Sequence, residues 1–149
     1  MIEIGPKYAW SILAAAFMNV QCIMVGFQPV KARTKYKINA PDMGNGRQSA
    51  KLTDEEWEDL NRTVRIHQNY VEQLPSAISS VLICGLFHPT LSAVFGGAYL
   101  FGRFIYMIGY RKKAGYRKYG FILFSIPLVA MIALGISGAF KELGLCKFK

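Results

Sequence analysis

Four long apolar stretches, separated by short polar segments, dominate the hydrophobic pattern of this 149-residue chain. A helix of about 20 predominantly apolar residues crosses the hydrocarbon core of a bilayer. The pattern therefore predicts an all-α fold, an integral membrane four-helix bundle that forms a single domain over residues 1–149. The predicted spans are residues 8–30, 60–87, 90–110 and 120–140.

Local signals predict where the second helix begins and ends. Thr53 is a good N-cap, and Glu56 completes a capping box in an acidic first turn. The helix is predicted to start near residue 54 and to continue into the second span, where membrane helices tolerate an internal proline such as Pro75. The dipeptide His88-Pro89 predicts a tight turn into the third span. Three glycines of that span predict close helix approach: Gly96, Gly97 and Gly102.

Composition and charge favour a membrane protein. Hydrophobic residues make up 52% of the chain and charged residues 18%, whereas soluble domains carry about a quarter charged residues. Half of the 18 basic residues behind the net charge of +9 lie in two runs, over residues 31–37 and 111–118, each beside an apolar stretch. A solvated basic face is the alternative interpretation, but this distribution fits membrane topology better, and we expect no nucleic-acid partner. The positive-inside rule places both basic loops in the cytosol.

The three cysteines are Cys22, Cys84 and Cys146, which are far apart and lie mostly in apolar runs. Their odd number and wide spacing predict neither a disulfide framework nor a zinc site. They are most simply buried small hydrophobic residues, and we expect no metal cofactor.

A polar stripe enters the second apolar span. On a helix, Arg65, Asn69 and Glu72 fall on one face, at spacings of four and three. A charged stripe entering a membrane segment is costly unless it is paired or bound to a ligand. This stretch is therefore a candidate site for a small zwitterionic ligand at the membrane surface.

The third helix carries a second polar face toward the same cytosolic end. Arg103, Tyr106 and Tyr110 are spaced three and four apart, and Arg117 would stay on that face if the helix continued past the membrane. Arg33 ends the first helix nearby. The two faces are predicted to lie at the same depth in the bundle.

The chemistry of these side chains suits a peptide-like ligand with two carboxylates and one amine. Arginines bind carboxylates bidentately, and a glutamate accepts an ammonium group. A further arginine would lower a thiol pKa from its usual value of about 8.5 and so favour the thiolate.

Two alternatives stay open from the spacing alone. Arg65, Glu72 and Arg103 could form an ion-pair network, with the tyrosines as an interfacial aromatic belt, or the polar residues could line an ion pathway, although their clustering at one end is against it.

Two stretches together resemble the family of membrane-associated proteins in eicosanoid and glutathione metabolism. They are Arg65-Ile-His67-Gln-Asn69-Tyr-Val-Glu72 with Pro75, and Tyr99-Leu-Phe-Gly-Arg103-Phe-Ile-Tyr106-Met-Ile-Gly-Tyr110. The resemblance covers nearly the whole chain in length and span order. Within the family, the RxHQN form of the first stretch and the His88-Pro89 turn are most similar to one of the microsomal glutathione transferases.

The resemblance implies a homotrimer of four-helix protomers that holds glutathione, as a co-substrate, between neighbouring subunits near the cytosolic surface. It implies conjugation of glutathione to lipophilic substrates that arrive from the bilayer, reduction of lipid hydroperoxides, and leukotriene C formation. It also implies that Arg117 stabilises the glutathione thiolate. The positions matched to glutathione contacts are Arg65, His67, Asn69, Glu72, Tyr106 and Tyr110, together with Arg103 and Arg33.

Two positions depart from the leukotriene C synthases of the family. Gln73 stands where those synthases carry a tyrosine, and Thr34 stands where they carry the second of two adjacent arginines. These departures favour a transferase and peroxidase. The alternative is a non-catalytic member that binds a lipid or serves as an accessory subunit of a larger membrane assembly. The endoplasmic reticulum and the mitochondrial outer membrane are both compatible locations, and the loop over residues 38–58 has no assigned role.

Overall fold

Four long helices account for most of the computed structural model, which describes residues 4–145 and therefore leaves Cys146 outside the described part. They are α1 (Ala9–Tyr36), α2 (Asp54–Phe87), α3 (Pro89–Lys112) and α4 (Arg117–Glu142). Short 3-10 segments occur at Pro6–Tyr8, Ser49–Lys51 and Ala114–Tyr116, and residues 4–145 form no strand. Each long helix has the length and apolar composition needed to cross a membrane.

Local features of the sequence define both ends of α2. The Thr53 side chain accepts a bond from the Glu56 backbone N–H, and the Glu56 carboxylate accepts one from the Thr53 N–H at 3.1 Å, so the predicted capping box is confirmed. Pro75 lies inside the helix, which continues to Phe87. The predicted turn is also confirmed, because His88 alone separates α2 from α3, and the proline that follows occupies the first position of the new helix.

Two glycines bring α3 and α4 together. A Cβ atom on Gly102 would lie 2.5 Å from the backbone nitrogen of Phe124, and a Cβ atom on Gly120 would overlap the backbone of Tyr106. Neither position can accept a larger residue unless the helices move apart. This reciprocal contact fixes the start of α4 beside Tyr106.

The other two glycines predicted to favour close packing differ from each other. Gly96 faces Ala14 of α1, whose Cβ atom would lie 2.8 Å from a Cβ atom added to the glycine, so close approach is confirmed there. Gly97 has nothing within 4 Å of that position in the same chain, and its prediction is not confirmed.

The bundle is apolar on both its inner and its outer surfaces. Fully buried side chains join the four helices in one core, including Met18, Val81, Tyr99, Phe124 and Met131. Large apolar side chains are also more than half exposed along the outside, including Trp10, Phe17, Phe27, Ile126 and Val129. On four helices of membrane length, such a surface is suited to lipid contact.

The basic segments lie at one end of the bundle. Because successive helices reverse direction, the connection from α1 to α2 and the turn from α3 to α4 are at the same end. That end therefore carries residues 31–37 and 111–118, and it is also the end at which Arg65 and Tyr110 meet.

A single carboxylate, that of Asp42, organises the loop between α1 and α2. Its two oxygens accept hydrogen bonds, each of 2.9 Å, from the backbone N–H groups of Gly44, Gly46, Gln48 and Ser49 and from the Ser49 hydroxyl. Burial acts to raise the pKa of the Asp42 carboxyl, but the hydrogen bonds from Ser49 and Gly44 outweigh it, so this pKa lies well below its usual range. The Gly44 carbonyl accepts a 2.7 Å bond from the indole N–H of Trp57, which joins the loop to α2.

Candidate functional site

Side chains from three helices line one polar cavity of about 160 Å³ at the basic end of the bundle. It lies where the faces predicted on α2 and α3 meet the first residue of α4. The lining residues are Arg65, Gln68, Asn69 and Glu72 from α2, Tyr106 and Tyr110 from α3, and Arg117 from α4. We call this space the central cavity. Gln68 is the lining residue that the sequence patterns did not single out, although it lies one turn from Arg65 and Glu72.

Two larger cavities adjoin the central cavity and share its walls. One of about 470 Å³ shares Arg65 and Tyr110 and extends beneath the loop to Trp57. The other, of about 320 Å³, shares Tyr106 and Arg117 and extends to Phe121, which is 48% exposed on the outer surface. Small-molecule sites commonly have volumes of about 300–1,000 Å³, and each of these two adjoining cavities lies in that range.

Arg117 is held against Tyr110 across the turn between α3 and α4. Its Nη1 donates to the Tyr110 hydroxyl at 3.1 Å, and its guanidinium carbon lies 5.2 Å from the centre of the same ring. The Tyr110 ring in turn meets Tyr106 edge to face, with centroids 5.6 Å apart. Because α3 ends at Lys112, it does not continue as far as Arg117. Arg117 instead reaches this face because the chain reverses direction between α3 and α4.

The charged residues of α2 are available to a ligand. Arg65 and Glu72 have exposed side chains, and neither makes a hydrogen bond or ion pair with any other residue of the range 4–145. The alternative ion-pair network with Arg103 is therefore not formed within one chain. An anionic group and an ammonium group would each find an unpaired partner of opposite charge here.

Arg103 is almost completely buried behind the central cavity, with 3% of its surface exposed. Its Nε donates to the Tyr99 hydroxyl at 2.9 Å, and Nη1 donates to Asn69 Oδ1 at 2.8 Å. Nη2 donates to Gln73 Oε1 at 2.8 Å and to the Asn69 carbonyl at 3.4 Å. The guanidinium carbon also lies 3.9 Å from the ring centre of Phe124. Arg103 thus contacts Asn69, which lines the cavity, but does not line the cavity itself.

Two other residues matched through the resemblance lie outside the central cavity. His67 is on the opposite face of α2, beside Gly26 of α1, where a Cβ atom would come within 3.1 Å of the imidazole Nε2. Arg33 lies at the end of α1, where its Nε donates to the carbonyl of Ile38 at 3.4 Å. Within one chain, neither side chain joins Arg65 and Tyr110 around the cavity.

Burial of polar groups in this region was only partly evident from the sequence. Gln73 accepts a bond from Arg103, whereas the sequence marks this residue only as a departure from the leukotriene C synthases. Its position one turn beyond Asn69 on α2 is the signal that could have placed both amides near the same partner. The buried Cys22 and Cys84 are both free thiols, and residues 4–145 contain no cluster of metal-ligating side chains.

Comparison with known proteins identifies the class to which this fold and site correspond. Residues 10–137 match the model of the MAPEG family, so the chain belongs to this family of membrane-associated proteins in eicosanoid and glutathione metabolism. It is similar to human microsomal glutathione S-transferase 2, with 34% identity over 139 residues that cover 90% of this chain and 84% of the relative. It is also similar to an uncharacterized protein of Synechocystis sp., with 27% identity over 125 residues that cover 83% and 82% of the two chains.

Proposed function

We propose that the protein is a membrane-bound glutathione transferase that also reduces lipid hydroperoxides with glutathione. The observation that carries this proposal is the central cavity, where unpaired Arg65 and Glu72 face Tyr110 and Arg117. Glutathione has two carboxylates, one ammonium group and one thiol; in this set of side chains Arg65 suits a carboxylate, Glu72 suits the ammonium group and Arg117 suits the thiol. Similarity to microsomal glutathione S-transferase 2 supports the same ligand.

Arg117 is proposed to hold the sulfur in its ionised form. A guanidinium and a helix N-terminus both favour a thiolate, and Arg117 is the first residue of α4. Because Arg117 donates to the Tyr110 oxygen, the phenolic O–H of Tyr110 stays available to donate to the sulfur. Both groups would therefore lower the thiol pKa and raise the fraction of nucleophile at neutral pH.

Two reactions follow from the same thiolate. In conjugation, the sulfur forms a bond to an electrophilic carbon, and the leaving group departs with its electron pair or the electrons move into a conjugated acceptor. In peroxide reduction, the sulfur attacks one peroxide oxygen and the O–O bond breaks, giving an alcohol and a glutathione sulfenic acid. A second glutathione then yields the disulfide and water. No metal is needed in either reaction.

The cavity that ends at Phe121 is the proposed route for lipophilic substrates. It shares Tyr106 and Arg117 with the central cavity and reaches Phe121 on the outer surface, so an apolar molecule arriving from the bilayer would meet the sulfur beside Arg117. The polar half of the site, at Arg65, lies toward the loop. Glutathione would thus enter from the cytosol and its partner from the bilayer.

We further propose that the protein acts as a homotrimer, in which a neighbouring subunit completes the exposed side of the central cavity. Arg33 and His67, which lie outside that cavity within one chain, remain candidate glutathione contacts across this boundary. Within the family, we propose that the protein belongs to the subgroup of microsomal glutathione S-transferase 3. We propose the endoplasmic reticulum or the mitochondrial outer membrane as its location, and a larger membrane assembly as a further partner.

Replacement of Arg117 by Ala tests the proposed chemistry. We expect purified Arg117→Ala in nanodiscs to show conjugation and peroxidase rates about a hundredfold lower than those of wild type. This difference corresponds to loss of one strong charge interaction with the reacting sulfur. Arg111→Ala is the matched control, because Arg111 is a nearby exposed arginine that lines none of the three cavities. Unchanged rates in Arg117→Ala would contradict the role. A wild-type protein that binds a lipid but no glutathione would favour the non-catalytic alternative.

A further inference from the structure

The buried guanidinium of Arg103 determines which end of the Asn69 amide faces the central cavity. A guanidinium has five N–H donors and no acceptor. The amide atom that lies 2.8 Å from Nη1 must therefore be the oxygen, as it is in the structure.

The amide nitrogen of Asn69 consequently points away from Arg103. This nitrogen donates no hydrogen bond to another residue of the described chain. It is also not one of the buried side-chain atoms without a partner, so it is open to the space around it. Asn69 lines both the central cavity and the cavity that extends to Phe121. The side chain therefore presents an NH2 donor to that space.

The position of Arg103 is itself strongly restricted. Aromatic rings surround its guanidinium, with centroids 3.9 Å away for Phe124, 4.7 Å for Tyr70 and 5.2 Å for Tyr99. The hydrogen bond to the Tyr99 hydroxyl fixes the remaining edge. A planar cation held in this way cannot rotate to let the Asn69 amide turn over.

We propose that Arg103 is a positioning residue, which holds Asn69 as a hydrogen-bond donor to a carboxylate or carbonyl oxygen of the ligand. This inference rests on the proposed function in that it takes the ligand to be glutathione. It gives Arg103 an indirect role, since its side chain lies behind the cavity and its donors are directed at Asn69, Gln73 and Tyr99.

Gln73 provides a matched control for Asn69. Both amide oxygens accept a 2.8 Å bond from Arg103, but only Asn69 lines the central cavity and the cavity that extends to Phe121. Asn69→Asp and Gln73→Glu each keep an acceptor for Arg103 and exchange an NH2 group for an oxygen. Only Asn69→Asp replaces a donor with an acceptor in the central cavity.

The experiment measures glutathione affinity by calorimetry and steady-state kinetics for these variants in nanodiscs. We expect Asn69→Asp to weaken glutathione binding about tenfold or more, because a donor to a charged group is lost and a repulsive oxygen replaces it. Gln73→Glu is expected to bind within about twofold of wild type. Arg103→Lys keeps the charge but cannot reach both amides, so we expect a KM for glutathione raised about tenfold with kcat much less affected.

A second measurement is independent of glutathione. In protein labelled with 15N at asparagine, the Asn69 side-chain NH2 signals are expected to exchange with water in the wild type and to broaden or average in Arg103→Lys. Equal glutathione affinity in Asn69→Asp and wild type would overturn the inference while leaving the proposed function intact. Absence of wild-type glutathione binding would overturn the proposed function, whereas Asn69 NH2 signals protected from water would overturn the inference on their own.

Discussion

Arg117 donates a 3.1 Å hydrogen bond to the hydroxyl of Tyr110, although the two residues belong to different helices. The turn at Ala114–Tyr116 reverses the chain and places the first residue of α4 against the last full turn of α3. The pairing links the residue proposed to stabilise the thiolate with a tyrosine whose ring packs on Tyr106. The turn between α3 and α4 therefore helps to form the site, together with the faces of the helices.

Tyr110→Phe is predicted to lower the conjugation rate by about tenfold, because it removes the acceptor that orients Arg117 and a donor to the sulfur while keeping the ring. The kcat/KM for glutathione measures this. Tyr119→Phe is the control, since the Tyr119 side chain is more than half exposed and lines none of the three cavities. A Tyr110→Phe variant as active as wild type would show that the pairing is dispensable.

Arg117→Lys is predicted to shift the pH dependence of conjugation to higher pH than wild type, and Arg117→Ala further still. The thiolate forms above the pKa of the thiol, and positive charge lowers that pKa, so each weakening of the charge moves the rise in rate toward the usual thiol value of about 8.5. Single-turnover rates measured across the pH range test this order. Profiles that coincide for all three proteins would mean that Arg117 does not act on the sulfur.

Asp42→Asn is predicted to open the loop that covers the cavity at Trp57. The substitution exchanges one acceptor oxygen for a donor that faces the backbone N–H groups of Gly44 or Ser49. Faster hydrogen exchange over residues 42–52 measures the effect. The surface residue Asp54 gives the control substitution Asp54→Asn, for which exchange in this loop is expected to stay unchanged.

The pH dependence of the wild-type loop follows from the same carboxylate. Its pKa is lower in the folded protein than in the unfolded chain, where it is about 3.9, so its stabilising contribution is fully present above that value and is lost as pH falls through the lower folded pKa. Loop protection is therefore expected to persist at pH 4. Loss of protection as the pH falls from about 6 to about 4 would contradict this account.

Gly102→Ala is predicted to lower the thermal stability of the protein, whereas Gly97→Ala is not. An added methyl group at Gly102 meets the backbone of Phe124, and overpacking of this kind costs about 1–3 kcal/mol or more. The Cβ position of Gly97 is open within the chain, and alanine is the better helix former. Thermal unfolding in detergent compares the two variants. Equal losses would indicate that the α3–α4 contact is not the reason for the glycine.

Much of the fold was predictable because the signals are local. Apolar length gave the helices, the capping box gave the start of α2, and His88-Pro89 gave the turn. Helical spacing also brought Arg65, Asn69 and Glu72 onto one face. These features depend on residues that are close in sequence.

The remaining features depend on packing between distant elements. Arg103 could be placed on a polar face, but its burial among aromatic rings requires Phe124 of α4 to lie against α3. The hydrogen-bonded loop around Asp42 required backbone geometry that composition does not reveal. The position of His67, in contrast, follows from helical geometry. It is two residues beyond Arg65 and so lies about 200° around the helix, on a face directed away from the central cavity.

Glutathione binding to the purified protein tests the central claim most directly. Calorimetry on wild type, Arg65→Ala and Arg47→Ala compares a cavity arginine with an exposed loop arginine outside all three cavities. We expect saturable wild-type binding below millimolar glutathione, about tenfold weaker binding or more in Arg65→Ala from loss of a charged contact, and no change in Arg47→Ala. No binding by wild type at millimolar glutathione, or equal binding by all three proteins, would contradict the assignment of the central cavity to glutathione.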